Sequence, residues 1–347
     1  MKSYGQGQAE GILLPNLRKA LNVGCNIFEP PQHKNVDLIL DTNIYRNLVR
    51  NLSEEQIFKL KHTIKQRCKQ ENITLLFPIN SAMELISHFN DEHEGERVEC
   101  RNALKLLVDL STTYSSTHIH VDFIPPLNAI LERYFFGKED THAKMYSKVI
   151  TLAQMLIGNI EAESEDAMKK HVETVKQQIE FEKKEIRDNY EEYLKSINDG
   201  EADWTYFKDN KQLRKDYFQR LKIGRLSFLV AQSFVDRAHS IVKQQIEKNE
   251  EYYNKVIKFM KDFCPALLMN ELLLEGVGHG VEALKDVADK RWNTIMDISL
   301  IFGALYNPKN IDRRLVTEEK NIHSSFEGCG FQNKIINLEA FKALMGM

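Results

Sequence analysis

Short apolar runs near both ends of the chain bracket a long middle region patterned for helices. Val36-Asp37-Leu38-Ile39-Leu40 is compact enough for a buried strand, and Asp41-Thr42-Asn43 follows it. Ile44, Leu48 and Val49, then Ile57, Leu60 and Ile64, recur at helical spacing, and Ser53-Glu54-Glu55-Gln56 reads as a capped helix start. Ile73 to Pro78 predicts a second strand, with a helix from Ser81 to about Phe89 and another over residues 98–113. His118 to Phe123 alternates and stops at Pro125-Pro126, as an edge strand would. Ahead of these lies a polar lead-in, residues 1–34, with one short helix expected near Leu14 to Leu21.

From about 127 to 288 the pattern carries no convincing strand and one proline, Pro265. Glu161 to Ile197 predicts a charged helical run, and Ile223 to Met260 a second long helical stretch with a better apolar stripe. Strand character returns at Asp312 to Thr317 and again at Lys334 to Leu338. The expected organisation is therefore α/β with a mostly parallel sheet. Its first part spans 35–126, an all-α insertion spans 127–288, and its second part spans 289–347.

With 347 residues, 42% of them hydrophobic, the chain can bury a sizeable core, and a formal charge of -3 gives no histone-like basic excess. Cys25, Cys68, Cys100, Cys264 and Cys329 form no CxxC pair, which predicts free thiols in a reducing cytosol rather than a zinc ribbon or disulfide framework. The polar start lacks the apolar core of a signal peptide, and no apolar stretch approaches a membrane span. A cytoplasmic protein without a membrane partner is the expectation.

Four acids fall at predicted strand or helix ends: Asp41, Glu84, Asp297 and Glu319. Three or four carboxylates offer the hard oxygens that Mg²⁺ or Mn²⁺ prefers, and such ions activate water and stabilise charge on a phosphoryl oxygen. Each acid also suits an ordinary role. Asp41-Thr42-Asn43 suits a helix N-cap, Glu84 a solvated helix face, Asp297 a first helical turn and Thr317-Glu318-Glu319 a turn. His88, His118, His120 and His323 lack partners at zinc-like spacing, which favours satisfied or exposed histidines.

The order of these pieces resembles the PIN domain family of metal-dependent nucleases, related to the flap-nuclease fold. The matching segments are Leu40-Asp41-Thr42-Asn43, Pro78 to Leu85 with Glu84, Asn293 to Ile298 with Asp297, Leu315-Val316-Thr317-Glu318-Glu319, and Ile335 to Phe341. The resemblance covers roughly 35–126 and 289–347 and implies a PIN-like three-layer sandwich. It also implies phosphodiester hydrolysis with Mg²⁺ or Mn²⁺ in an acidic groove, usually on RNA. Asp41, Glu84, Asp297 and Glu319 would be catalytic metal ligands, with Thr42, Asn43 and Thr317 in support. The family usually carries Asp where Glu319 stands, and Asp312 and Glu318 compete for that role.

An acidic site needs basic help to hold a polyanion. Between Trp204 and Arg225, Lys208, Lys211, Arg214, Lys215, Arg220, Lys222 and Arg225 face only Asp209 and Asp216 and are interleaved with aromatics. Aromatic stacking with phosphate neutralisation suits single-stranded RNA; core anchors beneath a solvated charged face are the competing reading. Lys59 to Lys69 is a weaker basic stretch. The leading expectation is an endoribonuclease on single-stranded RNA. The alternative is a catalytically weak PIN-like scaffold acting through its helical insertion, for which a homodimer is one partner. DNA as substrate is a third reading.

Overall fold

A computed structural model describes residues 35–114, 119–137, 143–158, 165–307 and 311–347. The helix expected at Leu14–Leu21 and His118 lie outside those residues. In chain order the elements begin with β1 (Val36–Leu40), α1 (Thr42–Val49), α2 (Glu54–Glu71), β2 (Ile73–Pro78), α3 (Ile79–Ser87) and α4 (Glu94–Ser111). Three short strands follow, β3 (Thr112–Tyr114), β4 (Ile119–Val121) and β5 (Phe123–Ile124). Then come helices α5 (Leu127–Phe136), α6 (Ala143–Gly158), α7 (Glu165–Ile197), α8 (Lys211–Lys222), α9 (Arg225–Ile241), α10 (Glu250–Asp262), α11 (Cys264–Gly278) and α12 (Thr294–Leu305). The chain closes with β6 (Asp312–Val316), α13 (Lys320–Gly328), β7 (Ile335–Ile336) and α14 (Leu338–Met345).

Five strands form one sheet in the order β5-β2-β1-β6-β7, and every pairing in it is parallel. β1 is central. Leu38, Ile39 and Leu40 have no solvent exposure, as a parallel strand covered on both faces requires. Asp37 is the exception within β1. It stands directly opposite Arg313 of β6 and accepts from its guanidinium at 3.0 Å. A one-residue slip would leave that buried carboxylate uncompensated, so the pair fixes the β1–β6 register. The start of α2 carries the expected capping box, with Ser53 and Gln56 bonded reciprocally. Gly303 of α12 lies so close to β5 that a Cβ there would meet Ile124 at 2.3 Å.

The chain divides into two compact units. The sheet unit takes the described residues up to Lys184 with Ser299–His323 and Asn333–Met347; the helical unit takes Glu185–Ile298 and Ser324–Gln332. Among the described residues between 127 and 307 every regular element is helical. The sheet unit nevertheless claims α5, α6 and the first part of α7, because α6 packs on α3 and α4 and Ala129, Ile130 and Leu131 are wholly buried. The helical unit's core surrounds Trp292, with Tyr190 and Trp204 set edge-on to its ring at 5.7 and 6.3 Å.

Several local expectations are corrected. Ile223 to Met260 is two helices, α9 and α10, separated at 242–249. The segment 118–123 is not one edge strand: β4 pairs antiparallel with β3, and β5 joins the main sheet beside β2. The final strand shortens to Ile335–Ile336, because Asn337 caps α14 through Ala340. Cys264 and Cys329 are not free thiols but a disulfide, while Cys68 and Cys100 are free. Their separation of 65 residues matches no spacing motif, so only the fold could reveal the pairing. No described helix is long and apolar enough to cross a membrane.

A crosslink across 65 residues restricts the unfolded chain by about 4 kcal/mol on loop-closure grounds. Replacing Cys264 and Cys329 by serine should lower stability in urea unfolding by roughly 2–4 kcal/mol. The same loss should follow dithiothreitol treatment of the native chain.

Candidate active site

The carboxyl ends of three adjacent parallel strands, β2, β1 and β6, deliver Glu84, Asp41 and Glu319. Open parallel sheets place ligand sites there, at the point where chain order reverses between neighbours. Here the reversal falls at β1, which has β2 on one side and β6 on the other. Asp41 directly follows β1, and its amide donates to Val316 O at 3.0 Å, which ties it to the end of β6. It occupies the N-cap position of α1, yet its side chain makes no capping hydrogen bond. The carboxylate instead accepts from Thr317 Oγ1 at 2.8 Å. The amides of Thr42 and Asn43 lie close enough to favour its charged form without capping it.

A chain of hydrogen bonds joins the three acids. Thr42 Oγ1 donates to Glu84 Oε2, and Asn43 Nδ2 donates to Glu319 Oε1 at 3.0 Å. Thr317, wholly buried, receives the Glu319 amide on its hydroxyl at 3.1 Å. Its own amide donates to Ile336 O of β7, and His323 Nε2 meets its carbonyl at 2.8 Å. Thr317 is thereby locked in the orientation that serves Asp41.

Electrostatics set Asp41 and Glu84 apart from the other described carboxylates. Burial pushes Asp41 up to about 6, against the Thr317 hydrogen bond, and the Glu319 charge adds to the rise. Burial pushes Glu84 up to about 7; Thr42 opposes the shift, Asp41 adds to it, and the charges of Lys183 and Arg46 oppose it. Buried like charges without a counter-ion are costly, and a cation removes that cost. Lys183, on α7, is itself lowered by burial and held up in part by Glu84. Its place beside Glu84 was hidden in the sequence within a uniformly charged helix.

The competing acids are accounted for. Glu318 Oε1 accepts from the Leu338 amide at 2.7 Å at the start of α14. Asp312 lies opposite Val36 at the amino end of the strands, bound to Arg314 and Lys334. Asp297 stands half-buried in the first turn of α12, among residues of the helical unit.

A fit to metal follows from the donors. Asp41 and Glu84 supply hard oxygens, and Mg²⁺ commonly binds through one or two carboxylates while keeping several waters. A closer-knit set, His88, Asp91 and Glu96, is the group of three among the described residues whose ligand atoms lie within 4.8 Å of one another; the acids around Asp41 are spread wider. That set already has protein cations. Lys176 binds Asp91 at 3.1 Å and Arg46 binds Glu96 at 3.3 Å, while the His88 ring hydrogen-bonds Asp91 at 2.6 Å. Such internal pairing suits a structural network rather than a metal cradle. His120 pairs with Asp122 and His323 with Thr317.

The basic segment divides by residue type. Trp204, Phe207 and Tyr217 are buried in the core of the helical unit, and Phe218 packs against it, so they are not surface stacking platforms. Lys208, Lys211, Lys215, Arg220 and Lys222 are exposed, while Arg214 and Arg225 are half-buried. In the stretch from Lys59, Lys59 pairs with Glu55, Lys61 with Asp109 and Arg67 with Glu71. Comparison with known protein families, curated proteins and solved structures finds no match.

The raised acids carry a defined pH dependence. The folded chain retains protons that the unfolded chain releases above about pH 4. The stability this protects is intact below that pH and is lost as pH rises through about 6 to 7. In EDTA, Asp41→Asn should therefore flatten the decline in melting temperature between pH 5 and 8. At pH 7.5 the variant should be more stable than the parent by about 1–3 kcal/mol.

Proposed function

We propose that this chain is a divalent-metal-dependent nuclease that hydrolyses phosphodiester bonds, with single-stranded RNA as its substrate. The observation that carries this reading is the hydrogen-bonded set of Asp41, Glu84 and Glu319 at the carboxyl ends of three neighbouring parallel strands. The PIN-like order of motifs agrees with it.

Asp41 and Glu84 would hold Mg²⁺ or Mn²⁺, with Glu319 acting from the rim. The ion, when bound, supplies Lewis acidity and a water of lowered pKa. Thr317 holds the Asp41 carboxylate in one orientation, and Thr42 does the same for Glu84. Asn43 fixes Glu319, whose exposure leaves it free to face an incoming substrate. Lys183 places positive charge beside Glu84, where a phosphate oxygen would gain from it. The exposed Lys208, Lys211, Lys215, Arg220 and Lys222 are proposed to hold the RNA backbone by charge alone, since the neighbouring aromatics are engaged in the core.

The wide spacing of the acids favours a second reading, a catalytically weak scaffold that acts through its helical unit, with a second copy of the chain as one partner.

Asp41→Ala should reduce Mn²⁺-dependent cleavage of single-stranded RNA by about three orders of magnitude, with an unchanged circular dichroism spectrum. Unchanged cleavage would end the nuclease reading, and absence of cleavage in both proteins would favour the scaffold. Charge reversal at Lys211 and Lys215 should weaken RNA binding and lower the slope of log affinity against log salt by about 1–2. Fluorescence anisotropy across a salt series measures both.

A further inference from the structure

A cavity of about 540 Å³ lies inside the helical unit, apart from any residue given a role above. Ile186, Tyr193, Leu226, Val230, Phe234 and Leu274 supply much of its apolar wall. Its size and lining fall within the usual range for small-molecule sites, which combine an apolar body with a few placed polar groups. One such polar group is Asn270, on α11, which is 4% exposed. Its Oδ1 accepts from the hydroxyl of Tyr190, another lining residue, at 3.0 Å. Its Nδ2 is buried with no hydrogen-bond partner. A buried donor left unsatisfied is costly, and an acceptor brought by a ligand would remove that cost.

The charged residues of the lining restrict the ligand further. Arg237 is paired with Glu185 at 2.9 Å. Asp236 accepts from Tyr252 at 2.8 Å and from Lys248 at 3.1 Å. Both lining charges are neutralised within the protein, so a charged ligand would find no uncommitted counter-ion there. The unmet requirement is for a neutral acceptor on an apolar frame.

We infer that this cavity binds a neutral, mainly apolar small molecule whose carbonyl oxygen accepts from Asn270 Nδ2. The site is independent of the carboxylates around Asp41, so its failure would leave the nuclease reading untouched.

Benzophenone and diphenylmethane share an apolar frame and differ by one carbonyl, which makes them the direct probes. Titration calorimetry of the full chain should give benzophenone an affinity at least about fivefold higher, as one neutral hydrogen bond provides. Asn270→Leu should bring the two affinities together by weakening benzophenone alone. Ser233→Trp, at an exposed lining position, should block both probes while preserving the far-ultraviolet circular dichroism spectrum. Decanoate should bind more weakly than benzophenone. Equal affinities in the parent chain, no binding of either probe, binding undiminished by Ser233→Trp, or a preference for decanoate would each overturn the inference. The comparison in the parent chain needs no variant, so an unfolded Asn270→Leu would not blunt the test.

Discussion

The placement of one carboxylate, that of Asp41, governs the candidate site. It sits at 5% exposure at the end of the central strand, where burial opposes its charge. Among the described residues no cation forms an ion pair with it. Thr317, Thr42 and Asn43 stabilise the acids by hydrogen bonding but bring no positive charge. Elsewhere in the sheet unit the buried acid Asp37 is met by Arg313. Those two aspartates lie only four residues apart in sequence and differ in this respect: Asp37 is neutralised by Arg313, whereas Asp41 is held by hydrogen bonds alone.

That distinction also explains the treatment of the other acidic groups. His88, Asp91 and Glu96 are closer together than the set around Asp41, and proximity alone would favour them as a metal site. Their partners Lys176 and Arg46 already balance them. Uncompensated burial is the better guide to a functional acid, because such an arrangement is retained at a cost to stability. Glu84, half-buried, is also shifted upward by burial and by Asp41, with Lys183 and Arg46 offsetting part of the effect.

The sheet was legible because its strands are short, apolar on both faces and punctuated by acid, proline or capping residues. Val36 to Leu40 and Ile73 to Pro78 satisfied those signals, and the strand beginning at Asp312 was legible despite two arginines. Asp41, Glu84 and Glu319 were legible because each follows a strand, so their convergence required only parallel pairing. Other features depended on contacts that sequence spacing does not encode. Cys264 and Cys329 met through packing of the helical unit. Trp204 and Phe207, set among lysines, read either as base-stacking platforms or as core anchors; they are core anchors, in a segment that presents its charge outward. Lys183 gave no sign of its place because α7 carries charge along its whole length. The packing of α5 and α6 was hidden for a similar reason: they are helical, as expected, and they group with the sheet unit.

The most direct test is anomalous diffraction from crystals soaked in Mn²⁺ near pH 7.5. The account predicts a manganese peak within bonding distance of the Asp41 and Glu84 carboxylates, lost in Asp41→Asn. A peak at His88 and Asp91 instead, or none beside Asp41 at saturating metal, would contradict it.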